Sequence, residues 1–353
     1  MNLVAFAAGA VEPRTGPAKV AWDVTYRCNL RCRHCHLWQT KEHADLDTDE
    51  AMKLVSDLAR IGTLHLSLSG GEPFLRADLL DLASHARDQG LTVGVNTNGT
   101  RLIVAEKARR ACQAGIGTFF ISLDGPDAET HNALRGAPHA FDSAIRAIDN
   151  LIEQRPSRST KVFINTTVTR GNVDRLDEIV GLAREHGVDG MTMSVINDVD
   201  KYSPEAETSM SGSDTDGFSA RLRKVTTDSG GLIPHSREYL DNFSTYLDRP
   251  NDLYKYHCVA GYSTALVHPD GEVYPCPVAF ASMGNIRRKP FPEIWSSDQA
   301  SEIRRRIKAN QHPICWFDCI APLSLLMHDL RHFRVHRLLD RRTLGHVLRK
   351  IAR

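Results

Sequence analysis

Seven of the eight cysteines in this 353-residue chain fall into two groups whose spacing suits metal chemistry. Cys28, Cys32 and Cys35 form a C-x3-C-x2-C loop. Three thiolates on one short loop suit an iron–sulfur cluster, whose irons take soft sulfur ligands. Ferredoxins complete a [4Fe–4S] cube with a fourth nearby cysteine. None is near here, so one iron would stay open to a cofactor or substrate. Structural zinc is the competing reading, with His34 or His36 joining the three thiolates. The second group is Cys258 and Cys276 followed by Cys315-x3-Cys319. Four thiols can fully ligate one cluster, or equally an all-thiolate zinc. Cys112, the remaining thiol, lies in a helical stretch and reads as a small core residue.

The elements that must position these thiols alternate between strand and helix. A strand is expected at 19–25, with the first cysteine loop hanging from its C-terminal end. Asp47-Thr48-Asp49-Glu50 offers a cap and a capping-box acid before the helical pattern Ala51, Leu54, Val55, Leu58, Ile61, which Gly62 stops. A strand at 64–68 then runs into Ser69-Gly70-Gly71-Glu72-Pro73. Helices at 78–89, 104–114, 140–154 and 173–186 alternate with strands at 92–96, 118–123, 161–169 and 190–196. This alternation predicts an α/β fold, a parallel sheet with helices outside. Six strands suit an open, partial (β/α)6 barrel, with the polar clusters at the strand ends where such sheets bind ligands. Residues 197 to about 234 turn rich in Ser, Asp, Thr and Gly and read as a solvated insertion or a lid over the sheet's mouth, with one helical stretch near 218–225, and 197–257 as a whole as insertion or lid and linker. Residues 265–268 and 272–274 flank Pro269-Asp270-Gly271 as a β-hairpin, and a helix at 292–307 returns the chain to Cys315.

Together Cys28/Cys32/Cys35, Gly70-Gly71-Glu72-Pro73, Asn96-Thr97-Asn98-Gly99, Ser122-Leu123-Asp124-Gly125 and His131-x3-Arg135-Gly136 resemble a radical S-adenosylmethionine (SAM) enzyme over 20–196. The resemblance implies that the open iron of a [4Fe–4S] cluster chelates SAM, and that one electron cleaves a C–S bond to release a 5′-deoxyadenosyl radical. Gly70 and Gly71 would let the backbone approach closely. Glu72 would meet the SAM ammonium group, and Pro73 would fix the turn. Ser122 and Arg135 carry over as ligands of the SAM ribose and carboxylate, and a planar guanidinium suits the latter. Asn98 and Asn165 are candidates for the ribose. His34 stands where the family usually has an aromatic residue beside the adenine. The second cysteine group, 258–322, resembles the short "twitch" form of the SPASM auxiliary-cluster domain, which implies an auxiliary [4Fe–4S] cluster on Cys258, Cys276, Cys315 and Cys319. In the sulfatase-maturing branch an acid follows the second auxiliary cysteine; here Pro277 does.

Composition limits the rest. Hydrophobic residues make up 41% of the chain, with no apolar run of the roughly 18 to 20 residues that span a bilayer. No secretory signal is visible at 1–17, so reduced thiols in the cytoplasm are expected. Residues 331–353 hold eight Lys or Arg against one Asp, a charge of +7, so the first 330 residues carry −6 of the net +1. That body has no basic footprint for nucleic acid. The 323–353 tail reads as a basic amphipathic helix that packs on the body, or docks to an anionic membrane or an acidic partner. A flavodoxin- or ferredoxin-type electron donor is the expected redox partner. Only a flexible lead, 1–19, precedes the first strand, which is taken to leave no room for a fused leader-peptide-binding domain. The expected substrate is therefore a small molecule such as a sugar or aminocyclitol, oxidised by way of the auxiliary cluster. A ribosomal-peptide or protein maturase is the alternative, and a non-catalytic zinc or iron–sulfur module is the competitor from another class.

Overall fold

In β1 (Lys19–Thr25) burial follows the two-residue period of a strand. Val20, Trp22 and Val24 join the main apolar core, whereas Lys19, Ala21 and Asp23 line a cavity on the other face. The computed structural model describes residues 10, 12–40, 44–195, 210, 215–278 and 280–332. Strands β2 (His65–Gly70), β3 (Thr92–Thr97), β4 (Ile116–Ser122), β5 (Lys161–Val168) and β6 (Gly190–Val195) lie side by side in chain order, every neighbouring pair parallel. Between them run α1 (Thr48–Arg60), α2 (Leu79–Asp88), α3 (Ala105–Gln113), α4 (Ala128–Arg135), α5 (Ala140–Gln154) and α6 (Leu176–Glu185). This is the open six-stranded partial barrel that the alternating pattern predicts. The capping box of α1 is complete: Asp47 accepts from the Glu50 N–H and Glu50 from the Asp47 N–H.

Two expectations are revised. Residues 215–248 hold the helical stretch expected near 218–225 but are more buried than a solvated insertion. They fold as α7 (Thr215–Asp228) and α8 (Arg237–Asp248), which bury Phe218, Leu222, Tyr239 and Phe243. The helix expected at 292–307 is two, α9 (Phe291–Trp295) and α10 (Asp298–Lys308), because Ser297 caps a new start by accepting from the Ala300 N–H. The second cysteine segment is built into the barrel's own sheet. The hairpin of β7 (Thr264–Val267) and β8 (Glu272–Tyr274), extended by β9 (Gly284–Asn285), continues the sheet, since β7 pairs in parallel with β1. A free β1 edge would leave a row of peptide groups unpaired, and the fully buried β7 satisfies them.

Side chains add further ties. Arg287 grips both oxygens of Glu50 at 2.8 and 2.9 Å, and buried Arg304 pairs with Glu12 at 2.9 Å. The last described helix, α11 (Ala321–Arg331), follows the final cysteine. The basic stretch expected beyond it, like most of the lead and the 196–209 segment, lies outside the described residues. No helix among the described residues is long and apolar enough to cross a membrane.

Candidate active site

Cys28, Cys32 and Cys35 sit on the loop leaving β1, where the strand ends of the sheet converge. They line a cavity of about 250 Å³ together with Gly70, Gly71, Asn98, Ser122 and Arg135. Burial pushes the Cys28 thiol up to about 12 and that of Cys35 to about 11, and each feels its neighbours' charge. The glycines are there for clearance. Gly70 has φ +116°, and a Cβ on Gly71 would lie 2.3 Å from the Arg27 carbonyl, so only bare backbone passes between the cysteine loop and the cavity. Gly136, at φ +66°, ends α4 against the same loop, where a Cβ would fall 2.2 Å from the Arg31 carbonyl.

Two of the expected cofactor contacts are side chains already engaged by the protein itself. Glu72 is completely buried and turned away from the cavity. Its carboxylate accepts from the Phe74 N–H at 3.1 Å, the Thr97 hydroxyl at 2.7 Å and the Asn98 N–H at 2.8 Å. Burial raises its pKa against those three donors. It ties the ends of β2 and β3 together and is not placed to meet an ammonium group in the cavity; Pro73 is likewise buried in the turn beneath. Asn98 faces the cavity, but its side-chain oxygen accepts from Thr100 and its amide donates to Asn29 at 3.0 Å, which braces the cysteine loop and leaves one N–H for a ligand.

Arg135 reaches the cavity, with its Nη1 3.9 Å from the Cys32 sulfur and its Nε 2.7 Å from Asp124 Oδ2. Asp124 is the hub that the sequence did not single out. It is wholly buried, accepts from the Thr167 N–H at 2.8 Å and lies 3.8 Å from His34 Nε2. Burial opposes its ionisation, yet the Arg135 guanidinium prevails and holds the carboxyl below its usual range. The signal for it was present in the order Asp124, His131, Arg135: an acid at a strand end with a cation one helix later. His131 Nδ1 accepts from the Asp124 N–H, and burial pulls its pKa down to about 4. Burial does the same to His34, which is therefore a neutral ring on the cavity wall.

A second cavity, of about 330 Å³, adjoins the first on the concave face of the sheet. Ser69, Asn96, Asn165, Ser194 and Phe317 line both. Its far wall holds Pro277, Asp318 and Cys319, so the auxiliary segment presents an acid at 318 and none at 277. Cys315 lies close enough to Cys276, Cys258 and Cys319 that, after burial, their charges push its pKa further up. The seven thiols thus form two groups, the first lining the smaller cavity and the second reaching the larger one through Cys319. Cys112 is in neither; it is buried in the main core. Among the described residues no three His, Cys, Asp or Glu side chains converge on a point that would hold a single metal ion, as a zinc site needs.

The radical SAM superfamily profile matches residues 22–183, and that of the SPASM iron–sulfur cluster-binding domain matches 258–320. An AdoMet-dependent heme synthase of Nitratidesulfovibrio vulgaris is 30% identical over 300 residues, which is 79% of this chain and 79% of that protein. The chain belongs to the radical SAM superfamily. A second relative of this radical SAM enzyme, the PqqA peptide cyclase of Streptomyces rochei, is 29% identical over 82% of the chain and 78% of the cyclase. The crystal structure of Streptococcus suis SuiB bound to precursor peptide SuiA shares the fold, with TM-score 0.66 and 18% identity over 82% of this chain and 67% of SuiB. SAM and a [4Fe–4S] cluster belong to the first domain and auxiliary iron–sulfur chemistry to the second.

Proposed function

We propose that this radical SAM enzyme is an oxidoreductase that modifies a peptide, holding one side chain in the cavity between the two cysteine sites. The carrying observation is the continuity of the two cavities, with the SAM-site thiols lining one and Cys319 the other. When bound, SAM and its cluster supply a hydrogen-abstracting radical. Cys28, Cys32 and Cys35 hold that cluster, and Cys258, Cys276, Cys315 and Cys319 hold the auxiliary one. Gly70, Gly71, Ser122, Asn98 and Arg135 form the cofactor wall. Phe120, Phe163 and Phe317 shield the adjoining cavity from water while Ser67, Ser69, Asn96 and Asn165 orient the substrate. In an oxidation, a cluster held by Cys258, Cys276, Cys315 and Cys319 would accept the substrate's second electron, and a flavodoxin- or ferredoxin-type protein would supply the starting electron. Eight thiols with no disulfide suit a reducing cytoplasm.

The peptide cyclase relative weighs towards a peptide and against the sugar or aminocyclitol expected from the sequence. The heme synthase relative raises an iron porphyrin as a second reading. Charge weighs against it: the larger cavity has Lys19 as its cation and Asp23 and Asp318 as acids, a poor host for a polycarboxylate. The test is anaerobic reconstitution followed by SAM, dithionite and candidate substrates. These are short peptides encoded beside the gene, iron coproporphyrin, and aminocyclitols. A mass change in a peptide, with 5′-deoxyadenosine formed in step, is the expected result; turnover of the porphyrin or the aminocyclitol instead would overturn it.

A further inference from the structure

A third cavity, of about 250 Å³, opens on the outside of the barrel between α2 and α3. Its lining joins the apolar Phe74, Leu79 and Leu80 to the cations Arg76, Arg101, Lys107 and Arg110, with no carboxylate among the lining residues. Arg76 is neutralised by Asp78 at 2.7 Å. Arg101, Lys107 and Arg110 are exposed and form no ion pair among the described residues, since the nearby Glu106 is taken by Arg109. Ile103 and Val104, two of the few large exposed apolar residues, are 44% and 48% accessible on the loop that joins Arg101 to α3. An apolar floor ringed by unpaired cations is the anatomy of a protein-docking surface, and its charge selects an acidic partner.

Position adds a function to the charge. Arg101 follows Thr100, whose hydroxyl accepts from the Asn29 amide at 2.8 Å, and Asn29 is the residue after Cys28. At the other edge Phe74 is bound to Glu72, whose own N–H donates to the Arg27 carbonyl, the residue before Cys28. Both rims of the patch are therefore one or two hydrogen bonds from the loop that leads into the SAM-site cysteines.

We infer that this surface docks the acidic electron-carrier protein that reduces the enzyme. The inference rests on the radical SAM reading, because that chemistry consumes one external electron per SAM cleaved. The donor protein loses one electron and is oxidised. SAM gains it, its C5′–S bond breaks, methionine departs, and the adenosyl half takes one hydrogen atom from a C–H bond of the substrate, leaving a substrate radical, and departs as 5′-deoxyadenosine.

The test compares wild type with the triple variant Arg101→Glu/Lys107→Glu/Arg110→Glu and with the conservative Arg101→Lys/Arg110→Lys. Binding of a bacterial flavodoxin is read directly by calorimetry. Formation of 5′-deoxyadenosine is driven either by dithionite or by that flavodoxin with its NADPH-dependent reductase. The triple variant should bind flavodoxin at least ~tenfold more weakly and lose the salt dependence of binding. Its flavodoxin-driven rate should fall in step while the dithionite-driven rate holds, which also shows that it folds. The conservative variant should behave as wild type. Equal flavodoxin binding by wild type and triple variant overturns the docking surface. So does loss of binding on truncation at residue 332 with no loss on charge reversal, which would move the site to the basic tail. Charge reversal that releases the protein from anionic vesicles while flavodoxin binding persists would make the patch a lipid contact and overturn it too. No 5′-deoxyadenosine from dithionite overturns the radical SAM reading instead, and the binding arm still decides the surface.

Discussion

Asp124 and Arg135 are a buried pair on which the cofactor wall depends. Removing one partner strands the other charge in a low-dielectric interior, at a typical cost of ~3–5 kcal/mol, whereas replacing both by apolar groups is far milder. Urea titrations should therefore find Asp124→Ala strongly destabilised and Asp124→Leu/Arg135→Met largely restored. His131 makes stability depend on pH. Its folded pKa of about 4 lies below the unfolded value of 6.5, so the unfolded chain binds the proton more readily. Its contribution is complete above about pH 6.5, falls as pH drops, and is gone below about 4, a span on the order of 3 kcal/mol. The wild-type loss of stability between pH 7 and 4 should exceed that of His131→Gln, measured by the same titrations. Glu72 separates two roles cleanly. Its carboxylate faces three donors, so Glu72→Gln turns an NH₂ against N–H groups and should cost ~1–3 kcal/mol. A weaker SAM affinity in an undiminished fold would instead return it to the ammonium group.

At the scale of elements, the cysteine loop is shaped by neighbours distant in sequence. Gly136 and Gly187 have nearly equal positive φ, +66° and +64°, but a Cβ meets the Arg31 carbonyl at the first and nothing within 4 Å at the second. Both Ala substitutions pay the left-handed strain of ~1–2 kcal/mol. Only Gly136→Ala should also displace the loop, seen as loss of about half of the ~8 irons expected for two cubes while Gly187→Ala keeps them. The motif His131-x3-Arg135-Gly136 was legible as a string. That its glycine is a clearance for the cysteine loop was not, because the contact joins residues 136 and 31 across the end of the sheet. The period-two and period-3.6 patterns located β1 to β6 and their helices for the same reason that they form: each buries one face. The 215–248 segment misled because its polar composition hides Phe218, Leu222, Tyr239 and Phe243, which only a partner surface makes into a core.

At the scale of the molecule, the first thiol group lines one cavity and Cys319 of the second lines the cavity adjoining it, because β7 adds to β1 and carries Cys276 and the return to Cys319 with it. Cys315→Ala/Cys319→Ala should leave about four irons per chain and preserve dithionite-driven 5′-deoxyadenosine, while abolishing peptide oxidation. Loss of all iron would mean that the two sites assemble as one.

The sequence by itself determined the chemistry: seven thiols in two spacings, a glycine turn at a strand end and the alternation of strands with helices are local properties of the chain. Only the tertiary structure decided the work of individual side chains. Glu72 and Asn98 sit inside correct motifs, yet the Glu72 carboxylate is fully engaged by Phe74, Thr97 and Asn98, and Asn98 keeps only one amide N–H beside its bonds to Thr100 and Asn29. Asp124 and Asp318, unassigned in the linear reading, stand behind Arg135 of the first cavity and in the lining of the second. The physical reason is that spacing sets which groups can converge, whereas burial and the supply of partners, both set by distant segments, decide which remain available to a ligand.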